Sequence, residues 1–136
     1  MGFLIDTCIW VDLERGRIAP ADVEHYTGNE PVYISPVTIA ELTYGVEMAR
    51  SADIQNKRRS ALERLKKKPL LIIDEVTGAI FGRIAVELHK MKKEPNFRIQ
   101  DLWLASQAMQ YNFKFLTTNI RDFKDIPGLQ LVEYGK

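Results

Sequence analysis

Short apolar runs alternate along this chain with longer segments whose apolar residues recur at helical spacing. The runs at 2–5, 32–34, 70–73, 113–116 and, more weakly, 129–132 read as buried strands. Helical patterns fill the intervals, over 7–15, 21–27, 52–67, 75–93 and 99–111. A further helix starts at Ser35-Pro36, a capping hydroxyl followed by proline at the first helical position, and runs to about residue 50. Its spacing predicts an inward stripe of Val37, Ala40, Tyr44 and Met48. The same reasoning turns Ile54, Ala61, Leu62 and Leu65 inward in the next helix, and Val76, Ile80, Ile84, Leu88 and Met91 in the one after. Strands alternating with helices predict an α/β fold: a three-layer α/β/α sandwich around a mainly parallel central sheet of about five strands, in one domain over 1–136.

Composition narrows the class without naming a function. At 136 residues, 46% hydrophobic and 27% charged, the chain reads as an ordinary globular protein. No apolar run approaches the roughly 18 residues of a membrane helix, and no secretory leader pattern opens the chain. Cys8 is the only cysteine, so an internal disulfide is excluded and a reducing, cytoplasmic location is expected. A net charge of +1 gives no argument from overall basicity. Basic clusters do stand at Lys57-Arg58-Arg59, at Arg64 to Lys68, and at Lys90, Lys92 and Lys93.

The candidate chemistry lies in acids placed just after strands or in the first turns of helices. Asp6 closes the first apolar run, at the carboxyl edge of a parallel sheet, where ligands gather in open α/β folds; it also suits the cap of the helix that follows. Glu41 stands four residues after Val37 on the predicted inward stripe, where a carboxylate is costly unless paired, solvated or bound to a cation. Gly45, one turn later, leaves room for close approach. Asp101 falls in the first turn of its helix, where the helix dipole favours an acid, yet it continues the apolar stripe. Asn119 and Asp122 follow the fourth run with near capping-box spacing. Thr117 ends that run and offers a hydroxyl toward the same edge.

Each of these acids has an ordinary structural explanation alone. Together they repel, and each raises the others' pKa unless a cation neutralises them. A hard divalent ion, Mg²⁺ or Mn²⁺, suits such oxygen donors. The chemistry that follows is phosphodiester hydrolysis by metal-activated water, with the basic clusters available to a phosphate backbone.

Four segments carry a family resemblance: FLIDTCI at 3–9, ISPVTIAELTYG at 34–45, IQDLWLASQA at 99–108 and LTTNIRDF at 116–123. In this order and spacing the chain resembles PIN-domain proteins, and within them the VapC-type toxin ribonucleases of toxin–antitoxin pairs. The resemblance implies Mg²⁺-dependent endoribonuclease activity on RNA, with tRNA or another structured RNA as the family-level substrate. It also implies homodimerisation and inhibition by a VapB-type antitoxin that can place a basic side chain in the acidic site. By position, Asp6, Glu41 and Asp101 match the three main acidic metal-site residues, and Asp122 the fourth of the toxin subgroup. Asn119 stands where many relatives have aspartate. Thr7 and Thr117 match supporting hydroxyls, and Cys8 departs from the asparagine common after Asp-Thr. Two other readings differ in class: a non-catalytic PIN module that binds RNA or a partner, and a phosphoryl-accepting receiver-like domain. The second lacks a paired acid beside Asp6 and a lysine after the fourth run. Trp10, Trp103 and Tyr44 are expected in core or dimer contacts rather than as base-stacking platforms.

Overall fold

The computed structural model describes residues 1–92 and 98–135. In chain order the elements are β1 (Phe3–Ile5), α1 (Thr7–Glu14), α2 (Pro20–Thr27), β2 (Val32–Tyr33), α3 (Pro36–Glu47), α4 (Ala52–Leu65), α5 (Glu75–Lys90), α6 (Ile99–Gln110), β3 (Lys114–Thr117), α7 (Ile120–Phe123) and β4 (Gln130–Glu133). The sheet runs β2-β1-β3-β4 with each neighbouring pair parallel. Register pairs Ile5 with Leu116, so the chain leaves β1 and β3 side by side at the same edge.

Both faces of the sheet are covered, as the continuous apolar strands demand. Successive strand residues point to opposite faces. Leu4 and Phe115 enter a core with Leu88 of α5, Leu102 and Ala105 of α6 and Phe123 of α7. Phe3, Ile5 and Leu116 enter the other, with Ile9 of α1 and Val23 of α2. The three-layer α/β/α arrangement follows from that alternation.

The expected strand at 70–73 shrinks to a single parallel bridge between Ile34 and Leu70. Leu71 alone is buried there, while Leu70 and Ile72 are 51% and 64% exposed. A run with only one inward residue has little to gain from a longer ladder. Asp74 then caps α5 at once, accepting from the Val76 and Thr77 N–H groups at 3.0 and 3.2 Å. The helix predicted over 75–93 ends at Lys90, and position 93 lies outside the described residues.

Three inward stripes need correction. On α3, Ala40, Tyr44 and Met48 face solvent, and the buried residues are Thr38 and Val46. Ile54 of α4 and Val76 and Met91 at the ends of α5 are also exposed, whereas Leu62, Leu65, Ile84 and Leu88 are buried as expected. On α3 the buried face carries a hydroxyl, so apolar spacing alone selects the wrong side.

Helix caps differ along the chain. Ser35 and Ser51 accept from Val37 N–H and Ile54 N–H at 3.0 and 3.2 Å. Asp6, Arg98 and Asn119, the cap residues of α1, α6 and α7, make no side-chain cap bond. Among the described residues no helix is long and apolar enough to cross a membrane.

Candidate active site

Asp6 is 5% exposed at the end of β1, and the capping role open to it is not the one it takes. Its Oδ2 accepts the Thr117 hydroxyl at 2.7 Å and the Cys8 thiol at 3.4 Å. Thr117 reaches it because β3 lies beside β1, a pairing extended by Asp6 N–H donating to Leu116 O at 2.9 Å. The Thr117 oxygen in turn accepts the Asn119 N–H at 2.9 Å. Cys8 contacts Thr118 Oγ1 at 3.2 Å, and burial together with the Asp6 charge pushes the thiol's pKa up. Cys8 therefore stays protonated and serves Asp6 as a donor.

Glu41 projects from α3 and is half-buried; its Oε1 accepts the Thr7 hydroxyl at 2.8 Å. Thr7 Oγ1 also lies 3.0 Å from Thr38 Oγ1. A hydroxyl has one proton, so with Thr7 donating to Glu41 it is Thr38 that donates to Thr7. The buried hydroxyl that displaced the predicted stripe of α3 thus helps orient Glu41. A Cβ at Gly45 would meet no atom within 4 Å, so no packing inside the protein requires that glycine.

Asp101, in the first turn of α6, is 2% exposed. Arg98 grips both its oxygens, Nε to Oδ2 at 3.2 Å and Nη2 to Oδ1 at 3.1 Å. Asp122 is half-buried on α7, and its N–H donates to Asn119 O at 3.0 Å. Asn119 is exposed, and the cap pairing its spacing allowed is not made by its side chain.

The acids share one electrostatic field. Burial holds Asp6 above the ordinary carboxylate range, hydrogen bonds from Thr117 and Cys8 oppose this, and the charges of Asp101 and Glu41 add to the rise. Burial likewise raises Asp101; Arg98 opposes through its hydrogen bonds and charge, and Asp122 adds to the rise. Arg98 is itself held more firmly protonated, first by Asp101 and then, more weakly, by Glu41 and Asp122. Hard carboxylate oxygens suit a hard divalent cation in kind. Their placement does not yet gather one: among the described residues no three His, Cys, Asp or Glu side chains are set to hold an ion together.

Beside Thr7 and Glu41 opens a cavity of about 560 Å³, walled by Trp10, Leu42 and Leu62 among others and edged by Arg58, Arg64 and Lys68. The basic clusters of the sequence thus divide: Arg58, Arg64 and Lys68 line this cavity, and Lys57 and Arg59 point to solvent. Arg58 donates to Gly45 O at 2.8 Å, and Lys68 lies 5.7 Å from the Trp10 ring centre. Trp103 is half-buried and packs on Phe81 with ring centres 4.4 Å apart, while Tyr44 is 68% exposed. Sequence reading missed Arg98. A cation at a helix N-cap, three residues before a first-turn acid, was the available signal, because both the cap preference and the helix dipole disfavour it there.

The parallel α/β/α fold defines the class, and known proteins share it. A family model for the PIN domain matches residues 3–129, and the chain belongs to the PIN-domain family. Ribonuclease VapC1 of Rickettsia felis is 31% identical over 135 residues, covering 97% of this chain and 96% of that protein. Among solved structures, VapBC2 from Rickettsia felis bound to a promoter DNA fragment matches with a TM-score of 0.85 at 25% identity, covering 98% of this chain and 99% of that one. VapBC-1 from nontypeable Haemophilus influenzae matches with a TM-score of 0.83 at 26% identity over 100% of both chains.

Proposed function

We propose that the chain is a Mg²⁺-dependent endoribonuclease, the toxin of a VapBC-type toxin–antitoxin pair acting in the cytoplasm. One observation carries the reading: Asp6 and Asp101, 5% and 2% exposed, are kept in one another's field at the carboxyl edge of the sheet. Burying like charges together is costly, and a cation that neutralises them is the direct physical justification. Asp6, Glu41 and Asp101 would hold the ion, with Asp122 reaching it directly or through water; Mn²⁺ should substitute. When bound, it supplies an activated water and stabilises the leaving oxygen of the phosphodiester.

The protein's own residues prepare that chemistry. Thr117 fixes one oxygen of Asp6 and Thr7 one oxygen of Glu41, leaving the remaining lone pairs for the site. Asn119 supports the loop through its N–H to Thr117. Arg58, Arg64 and Lys68 give an RNA backbone a basic approach beside Glu41; tRNA or another structured RNA is the expected substrate. The VapBC naming of the Rickettsia and Haemophilus structures supports a VapB-type antitoxin as partner. Homodimerisation is part of the reading, and Tyr44 and Met48, one turn apart and 68% and 62% exposed, offer apolar surface for it.

The test is cleavage of a structured RNA by the purified chain in Mg²⁺ and in EDTA. Equal cleavage in both removes metal dependence, and no cleavage in Mg²⁺ favours the non-catalytic binding module. The grip of Arg98 on Asp101 lends that second reading its weight, since Asp101 already has a partner. A milder effect is expected of Thr117→Val, which removes the donor to Asp6 but keeps the shape. Cleavage should fall by roughly 10- to 100-fold, the scale for groups that orient metal ligands. Wild-type kinetics in that variant would show that the hydroxyl orients nothing of consequence.

A further inference from the structure

Arg98 stands where helix chemistry argues against it. It is the N-cap of α6, with extended backbone (φ −102°, ψ 147°) and no side-chain cap bond. That position favours Ser, Thr, Asn or Asp, and the positive end of the helix dipole repels a cation. What holds the guanidinium there is Asp101, through a two-point grip on both carboxylate oxygens. The pair is unequal in burial: the Asp101 side chain is 3% exposed and that of Arg98 62%. Asp101 is fixed in the core, whereas Arg98 reaches in from solvent and can leave without opening it. Glu41 and Asp122 also act on the Arg98 charge, so the guanidinium sits within the acids' common field.

We propose that Arg98 is a built-in counter-cation that competes with the divalent ion for Asp101, so that loading the site requires its guanidinium to swing away. This rests on the metal-site reading given above. It accounts for two observations together: the arginine misplaced at a helix cap, and the failure of the carboxylates to gather at ligand distance among the described residues. Both oxygens of Asp101 already point at a planar fork, and a divalent ion entering beside that fork meets like charge. Arg98 thereby keeps a buried carboxylate compensated and sets a threshold for cation binding. It is a positioning residue; no step of the reaction is assigned to it.

Calorimetric titration of Mn²⁺ into the full chain tests this, with thermal unfolding measured alongside. Arg98→Gln should bind Mn²⁺ about tenfold more tightly than the wild type, the like-charge effect being moderated by the solvent exposure of Arg98. The same variant should melt lower in EDTA, because Asp101 loses its partner, yet gain more from added Mn²⁺. Arg98→Lys keeps the charge and loses the fork, so its affinity should fall between the two; it carries the test alone should Arg98→Gln not fold. A purely structural ion pair predicts lower stability with unchanged or weaker affinity. Unchanged or weaker affinity in the substituted chains, with the wild type binding, overturns the proposal and leaves the metal site standing. Binding by a variant but not by the wild type supports it strongly. No binding by any of them removes the metal site and this role of Arg98 together.

Discussion

Asp6→Asn is expected to cut RNA cleavage by roughly three orders of magnitude, the scale for removing a group that stabilises reacting charge, while making the protein more stable. The two effects share one cause. Burial, reinforced by the Asp101 and Glu41 charges, holds Asp6 above the usual value of 3.8. The folded chain then keeps that proton more readily than the unfolded chain. The carboxyl costs no stability below the unfolded value, and costs progressively more as pH rises toward and through the folded one. Asparagine carries no charge at any of these pH values. Its amide oxygen can still accept the Thr117 hydroxyl, and the repulsion from Asp101 and Glu41 is gone. In EDTA at neutral pH the variant should be more stable than the wild type and melt at a higher temperature. The gain should shrink as pH falls toward 4. Full cleavage by Asp6→Asn removes Asp6 from the site, and a lower melting point at neutral pH refutes the electrostatic cost.

The strands near Asp6 were legible because their burial is continuous: Phe3, Leu4 and Ile5 are each at most 1% exposed, so apolar character alone marks them. The run at 70–73 has the same composition but buries only Leu71, and composition does not reveal how many faces are covered. Glu41 shows a right residue reached through a wrong face. Its stripe of Val37, Ala40, Tyr44 and Met48 has helical spacing, but the buried side of α3 carries Thr38, whose hydroxyl is satisfied by Thr7 from another element. A buried polar residue with a distant partner has no signature in local periodicity. The same blindness hid Gln107, whose partners Leu71 and Ser35 lie on other segments. The four acids were legible as positions after strands and in first turns. Their mutual field depends on the sheet order β2-β1-β3-β4, which no single segment encodes.

Gln107→Ala should be the most damaging polar substitution outside the acids, costing about 3–5 kcal/mol through a cavity and broken buried hydrogen bonds. Gln107 is fully buried on α6. Its Nε2 donates to Leu71 O at 2.9 Å, and its Oε1 accepts the Ser35 hydroxyl. Ser35 Oγ in turn caps α3 through Val37 N–H at 3.0 Å. One amide thus ties the start of the helix bearing Glu41, the helix bearing Asp101 and the segment that bridges the sheet edge at Leu70. Alanine leaves the Leu71 carbonyl and the Ser35 hydroxyl without that partner. Gln107→Leu fills the space but makes neither bond, so it should cost about 1–3 kcal/mol, and the difference between the two variants isolates the cavity. Ser35→Ala breaks the network from its other end, and the double variant should lose less than the sum of the singles because they share one hydrogen bond. Urea unfolding midpoints decide the matter: values for Gln107→Ala within about 0.5 kcal/mol of wild type would show that the network carries no stability. Cleavage measured where the variant is still folded should also fall, since Glu41 and Asp101 ride on the two helices this amide joins. Unaltered cleavage there would mean that the register of α3 against α6 is set by apolar packing alone.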